Sequence, residues 1–536
     1  MKLTIPREDL HQKVYLFSLA ILVCCLPLSR YLLSISQFLL LINWLLQGRF
    51  RQKVRLALNN PAILFFGSLF LIYCIGLLYT QNLATGLARV KNALPLLLLP
   101  LVMGTSKTLS AKEFRLLLLL FSSAVITAAM VCLVNYFITD APVNGDFREV
   151  SIFMLHIRFS LMIVMSMFIL LYFLFSKDIP CTISEKLLFL SGACFLAAFL
   201  LFLRSFTGII IGMVLALVFL LNMAFRSKRP LIRHAFLFII AGTLTGFFVL
   251  TLSVYRQNFH AGPVHPDTLE IYTVNGNRYS HDILSGALEN GHYIDLYVCE
   301  TELKKEWNKI SRIPYDSLDR KGQSISYTIR RYLTSKGYRK DSAALSKLDG
   351  SDIQRIEDGL ANYTFRNNPG IYQRLYETLW ELHILSRTGY MLQHSMGQRI
   401  AFLEASWPVL KENIWTGVGT GDVYDAMLHS AREKRLTVDP QWEGKPHNQF
   451  IFFILAFGMA GFLYLLFCFI YPVMANRAYR SLLFNLYAGI ILISMLTLDT
   501  LESYDSMVFF AFFYCLFVFA ADAQGKRKLT AFNKSN

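Results

Sequence analysis

The stretch His447–Gly461, HNQFIFFILAFGMAG, opens with three polar side chains, His447, Asn448 and Gln449, and passes without a linker into an apolar run that reaches Tyr471. A membrane helix with a histidine at its mouth holds a titratable imidazole at the membrane surface, where it is rigid and still meets water. Such a position suits group-transfer chemistry on a lipid-anchored substrate. A plainer reading is an interfacial cap, in which Asn448 and Gln449 satisfy the first free N–H groups of the helix.

The remaining sequence sets the context. The chain has 536 residues, of which 54% are hydrophobic, 14% aromatic and only 16% charged, and its mean hydropathy is +0.44. That composition excludes an ordinary soluble protein and predicts an all-α polytopic membrane protein. Apolar stretches at 13–29, 31–47, 62–79, 90–104, 115–138, 151–175, 187–203, 206–225, 234–254, 448–475, 481–498 and 505–522 give about twelve transmembrane helices. The expected organisation is nine helices in 1–254, one large, mostly helical hydrophilic loop in 255–446, three helices in 447–522 and a basic tail in 523–536. The first stretch starts basic like a secretion signal, but no small-residue cleavage site comes after it and a second apolar segment begins at once, so it is read as a retained helix.

The formal net charge of +16 is a topology signal and excludes a nucleic-acid partner. Arg49, Arg51, Lys53 and Arg55 lie between the second and third apolar stretches, Lys107, Lys112 and Arg115 in the next even-numbered connection, and Arg226, Lys228, Arg229 and Arg233 in another. Arg477, Arg480, Lys526, Arg527 and Lys528 continue the series, whereas Asp140, Asp146, Glu149, Asp499, Glu502 and Asp505 fall on the opposite side. Basic short loops stay in the cytoplasm, so both termini are expected inside and the large loop outside. Of the nine cysteines, Cys299 alone lies in that loop, which rules out a disulfide within it.

Several basic residues break this pattern. Arg89 and Lys91 stand on the outer side, where they either bind an anion or reach lipid headgroups. Pro95 and Pro100 come next and imply a kinked or broken helix lining a cavity. Arg158, in SIFMLHIRFS with His156 and Ser160, and Arg204, in LFLRSFTGIII, are expected at similar height on the same side. Each either serves a ligand or pairs with a carboxylate such as Asp499 or Glu502.

The first part of the large loop alternates like strands: Asn275-Gly276 signals a turn, and Ile294, Leu296 and Val298 alternate with Tyr293, Asp295 and Tyr297. The rest of the loop reads as helices. Ser351 with Gln354 predicts a capping box, and Tyr372, Leu375, Tyr376, Leu379 and Trp380 form a packing stripe at helical spacing. In GQRIAFLEASWPVLKENIWTGVGTGD, Arg399 and Leu403 stand one turn apart, and Pro408 is expected to interrupt the helix beyond them. Gly417, Gly419 and Gly421 lack the strand and helix of a nucleotide loop and read as a close turn returning the chain to the membrane.

The loop histidines, from His260 to His429, show no close helical spacing and no supporting cysteines, so neither a metal nor another cofactor is expected. There is no nucleophile elbow and no phosphate loop. With no cytoplasmic domain to hold an activated donor, an enzyme of this architecture would find its donor outside, attached to lipid. Arg89, Arg158, Arg204, Arg399 and His447 remain as an outward-facing set. Guanidinium forks suit a diphosphate, and a neutral imidazole can take a proton from an attacking hydroxyl. A lipid or glycan transporter would share the helices and buried arginines, yet would gain little from a large one-sided loop.

Two motifs give this set a family likeness. Arg399 is followed after three residues by Leu403; His447-Asn448 is followed, after nine intervening residues, by Gly458 and then Gly461, with GVGTGD between the motifs. The chain resembles the bacterial O-antigen ligase and O-antigen polymerase superfamily, with the ligase branch favoured. Around Arg204 it departs from that family's short SRxG-like run and reads RSFTG. The resemblance implies a metal-independent, inverting glycosyltransferase in the bacterial inner membrane with a periplasmic active site. It takes a glycan from undecaprenyl diphosphate to a lipid A-core sugar hydroxyl, with His447 assisting the acceptor and Arg399 and Arg204 holding the diphosphate. Arg158 and Arg89 are expected to add to the donor site. A polymerase or a protein glycan ligase would use the same donor and differ only in acceptor.

Overall fold

The computed structural model describes residues 7–139, 150–176, 181–366, 370–388, 395–436, 442 and 444–520. Asp140, Asp146, Glu149, His394 and the tail basic residues Lys526, Arg527 and Lys528 lie outside the described residues. The described residues are mostly helical. Its first half runs through α1 (Arg7–Cys25), α2 (Arg30–Leu46), α3 (Phe50–Leu58), α4 (Pro61–Leu77), α5 (Leu83–Ala93), α6 (Pro95–Thr105) and α7 (Ala111–Thr139). It continues with α8 (His156–Phe175), α9 (Ile183–Phe202), α10 (Phe206–Arg226) and α11 (Pro230–Asn258).

A helix coincides with every apolar stretch expected from the sequence. Among the described residues, seven helical spans are long and apolar enough to cross a membrane, with α5 and α6 together counted as one, and α2 with α3, bent by 112°, makes up to eight. α4 and the two last helices, α20 (Leu482–Thr497) and α21 (Tyr504–Cys515, continued by a π-helical turn to Ala520), are apolar but shorter. Pro95 separates α5 from α6, as its missing N–H requires.

α21 forms the centre of the bundle. A helix that is apolar on every face must be buried on every face, and from Asp505 to Ala520 every residue is buried. Phe509, Phe513 and Phe517 pack on Tyr487 of α20, Phe510 on Phe469, and Tyr514 stacks on Phe66 of α4 at 4.0 Å. By contrast α11 packs on α10 and leaves Phe238 and Phe248 exposed, as a lipid-facing helix does.

The hydrophilic insertion contains a two-stranded hairpin of β1 (Leu288–Glu289) and β2 (His292–Tyr293), then α12 (Glu300–Ile310), α13 (Ile325–Ser335), α14 (Ser342–Leu345), α15 (Gly350–Glu357), α16 (Ile371–Thr388), α17 (Ser395–Glu412) and α18 (Val423–Glu433). Ile294, Leu296 and Val298 are buried and alternate with half-buried Tyr293, Asp295 and Tyr297, yet residues 294–297 form turns and bends, with Tyr297 at φ 55°, and Val298 makes only isolated bridges. The turn at Asn275-Gly276 forms, with Gly276 at φ 80°. The expected capping box shifts by two residues: Asp349 caps α15 and Asp352 closes the box, because Ser351 donates to Asp349 instead.

The packing stripe of α16 is buried as its spacing predicts, with Tyr376 and Trp380 in a core shared with Phe259 and Ile294. Beneath it Arg331 pairs with Glu289 at 2.8 Å and lies 3.7 Å over Trp380, while Asn362 and Tyr376 complete the carboxylate's bonds. A buried ion pair is tolerated when its remaining bonds are filled in this way. It ties the 288–366 unit to α16.

Candidate functional site

The last long helix, α19 (Gln449–Ala475), starts two residues after His447. Asn448 is its N-cap: its side-chain oxygen accepts from Phe450 N–H at 3.0 Å and Ile451 N–H at 3.1 Å, so the capping role expected of it holds. Gln449 goes elsewhere. It accepts from the Leu501 amide at 2.8 Å and donates to Glu502 at 3.3 Å, fastening the helix start to the turn before α21.

α19 is broken at Gly458, where φ is 66° and ψ −178°. Breaking a helix inside an apolar bundle strands backbone groups that no water can reach. Segment 414–420 supplies the partners. Val418 and Gly419 amides donate to the carbonyls of Leu455 and Ala456, and Met459 N–H donates to Ile414 O at 2.7 Å. A Cβ on Gly458 would sit 2.1 Å from Trp415 O, and one on Gly417 would sit 2.5 Å from the Ala456 carbonyl. Gly421 approaches Asn82 O as closely as its missing Cβ allows, and Thr420 N–H donates to Gly76 O at the end of α4. The glycine segment is therefore an insert that repairs a broken helix, where the sequence suggested a turn back to the membrane.

α17 carries the other motif. Pro408 was expected to interrupt it, but the helix continues to Glu412 because Lys434 Nζ donates to Glu404 O at 2.9 Å, the carbonyl that proline leaves without a partner. Arg399 and Phe402 share one face of this helix. Phe402 stacks on Trp442 at 4.4 Å and meets the His447 ring at 5.1 Å. His447 itself has φ 51°, a left-handed conformation that costs a non-glycine residue about 1–3 kcal/mol and that the surrounding contacts must sustain.

This surrounding sets the charge of the imidazole. Burial, then the guanidinium of Arg399 and the ammonium of Lys445, push the pKa of His447 down to about 4. Arg399 is also lowered by burial, with the Glu381 charge acting against it. The site thus holds a neutral imidazole beside a cation at neutral pH.

Behind His447 lies the turn 499–505, DTLESYD, which gathers much of the basic set. Burial and the neighbouring Glu502 push Asp499 up to about 7, opposed by the backbone amides of His447 and Asn448. Those amides face the carboxylate without closing bonds of standard geometry. Glu502 pairs with Arg89 at 3.1 Å. Asp505 receives Arg158 at 3.3 Å and Arg30 at 3.2 Å.

Two of the expected donor ligands are therefore already engaged. Arg89 is buried, donates to Thr420 O at 2.5 Å and lies over the rings of Tyr424 and Phe452. Reaching a diphosphate would mean leaving Glu502, a partner whose loss a buried charge does not tolerate. Arg158 is half-buried, and its carboxylate is Asp505, not Asp499 or Glu502. Arg204 also has a left-handed backbone, at φ 51°, and sits in the short link between α9 and α10. Ser205 beside it donates to Ser160 on α8 at 3.0 Å, and a Cβ on Gly208 would meet Ser160 at 2.5 Å, so Arg204 and Arg158 come from helix ends in close contact.

Leu403 is half exposed and does not pack in the core, while Gly461 lets the α19 backbone turn past Phe457. Phe402, Trp442, Gln449 and Asp505 were not singled out in the sequence as site residues, although the i,i+3 spacing of Phe402 from Arg399 was there to be read. Among the described residues no group of three or more His, Cys, Asp or Glu is placed to hold a metal ion.

Residues 368–466 match the family model described as O-antigen ligase. No curated protein matches the chain. The matched region runs from α16 through the break in α19 and includes Arg399, His447 and Gly458; the 255–366 part of the insertion lies outside it.

Proposed function

We propose, from the match of residues 368–466 to the family model described as O-antigen ligase, that the chain is such a ligase. It moves a glycan from undecaprenyl diphosphate to a lipid A-core sugar hydroxyl at the periplasmic face of the bacterial inner membrane. The observation that carries this reading is the neutral, half-buried His447 held against Phe402 one turn from Arg399.

In the proposed reaction the acceptor oxygen attacks the anomeric carbon of the donor from the face opposite the leaving group, and the carbon–oxygen bond to the diphosphate breaks. The hydroxyl proton passes to His447, and the lipid diphosphate departs as an anion. Arg399 meets that anion with parallel charge-assisted hydrogen bonds, and Arg204 adds a second cation. A base with a pKa of about 4 is weak until substrate arrives. The incoming diphosphate offsets the charges of Arg399 and Lys445, two of the three causes of the lowering, and so strengthens the imidazole when it is needed. Arg89 and Arg158 act through Glu502 and Asp505, fixing the turn on which His447 rests.

Reconstitution of the full chain with an undecaprenyl-diphosphate-linked glycan and two alternative acceptors tests the assignment. Glycan appearing on lipid A-core supports the ligase. Elongation of a second lipid-linked glycan assigns the same site to a polymerase, and no transfer to either acceptor overturns the reading.

A further inference from the structure

The 255–366 unit carries a cleft of about 300 Å³, within the size range of small-ligand sites. Its walls include His292, Tyr293, Tyr297, Tyr338, Arg339 and Lys340, and no carboxylate lines it. We propose that this cleft binds an anionic saccharide, with Tyr293 as the platform for the sugar ring and Lys340 as the partner of its negative group.

The charge argument rests on Lys340. Its side chain is buried, and Nζ donates to the carbonyls of Tyr293 at 3.2 Å and Leu296 at 2.9 Å. An ammonium has three N–H groups, so the two carbonyl bonds leave one N–H without a protein acceptor among the described residues. Among the described residues no carboxylate lies within ion-pair distance of it. Asp295 acts on it only at longer range; burial lowers the group to about 8, which leaves it charged at neutral pH. A buried cation without a contacting counterion favours an anion in the adjoining space. Arg339 adds little net charge, because Glu270 holds it in a two-pronged pair.

The rings give the second half of the argument. Tyr297 is covered by the Arg339 guanidinium at 4.9 Å and Tyr338 by Lys347 at 5.3 Å. Tyr293, half-buried, carries no such cation among the described residues. A tyrosine offers an apolar face with a polar tip, and a pyranose matches it with an apolar C–H face and a polar rim. The cleft borders the β1–β2 hairpin, which Trp380 Nε1 and Tyr376 tie to α16, whose Glu381 acts on Arg399. This assignment deepens the transfer reading, on which it depends for the identification of the bound saccharide as part of the acceptor.

Isothermal titration calorimetry on the full chain in nanodiscs, titrated with glucuronate, glucose 6-phosphate, glucose and inorganic phosphate, tests the site without turnover. At least one of the two anionic sugars is expected to bind about tenfold tighter than glucose and than inorganic phosphate, and whichever does so assigns the negative group as carboxylate or phosphate. Tyr293→Ala should lose that binding while Tyr293→Phe keeps it, and Lys340→Met should remove the preference over glucose. His447→Ala should bind like the unaltered chain, so a failed transfer reaction leaves this result standing. Equal binding of glucose, binding of phosphate as tight as the sugars, or unaltered binding by Tyr293→Ala overturns the proposal.

Discussion

An imidazole can act as a base only while it is neutral, and burial, helped by the pair of cations beside His447, keeps it so down to about pH 4. The sign of the resulting pH dependence is fixed: transfer is lost as pH falls through that value. Removing the Arg399 charge lets the imidazole hold its proton more tightly, so Arg399→Gln should move the acid limb of kcat/KM upward, toward the ordinary histidine value of 6.5. An unmoved limb would separate the two residues. His447→Ala should slow transfer by about 10²- to 10⁴-fold, the usual worth of a positioned base, without lowering the unfolding temperature. Arg399→Lys retains charge but loses the fork, and a loss of about tenfold to a hundredfold is expected from one charge-assisted bond.

The helices show what was legible and what was not. The start of α19 and the capping role of Asn448 could be read locally, since a polar triplet before an apolar run is a helix-start signal. The break at Gly458 could not, because its cause lies in segment 414–420, which is far away in the chain. Pro408 follows the same logic: the group that rescues its helix is Lys434, just past the end of the next helix. The partner of Arg158 lies 347 residues away, beyond any pattern in the sequence. The glycines that fit this repair are predicted to be matters of folding. Gly458→Ala should cost at least about 3 kcal/mol through combined strain and clash, seen as a lower unfolding temperature and less monodisperse protein. Wild-type stability in that variant would mean the insert is not tightly held.

Across the molecule, the apolar composition announced a helical membrane protein, and every apolar stretch became a helix. Among the described residues, length and composition together leave only seven or eight of them able to span unaided; α4, α20 and α21 are short, and α21 packs on both α4 and α20. At the far end of α21 the acidic turn draws together residues from α5, α8 and α19. Asp499, protonated in the folded protein up to about pH 7 against 3.8 when unfolded, stabilises the fold at low pH. Stability from this group is lost as pH rises between those values, so Asp499→Asn should flatten the fall in unfolding temperature over that window. The whole arrangement matters for function only if α17 and α19 present His447 and Arg399 to one substrate. A double-mutant cycle on transfer from undecaprenyl-diphosphate-linked glycan measures this: the double variant His447→Ala with Arg399→Lys should be far less impaired than the product of the two single losses, with a coupling of about 1 kcal/mol or more. Losses that simply multiply would contradict a shared site.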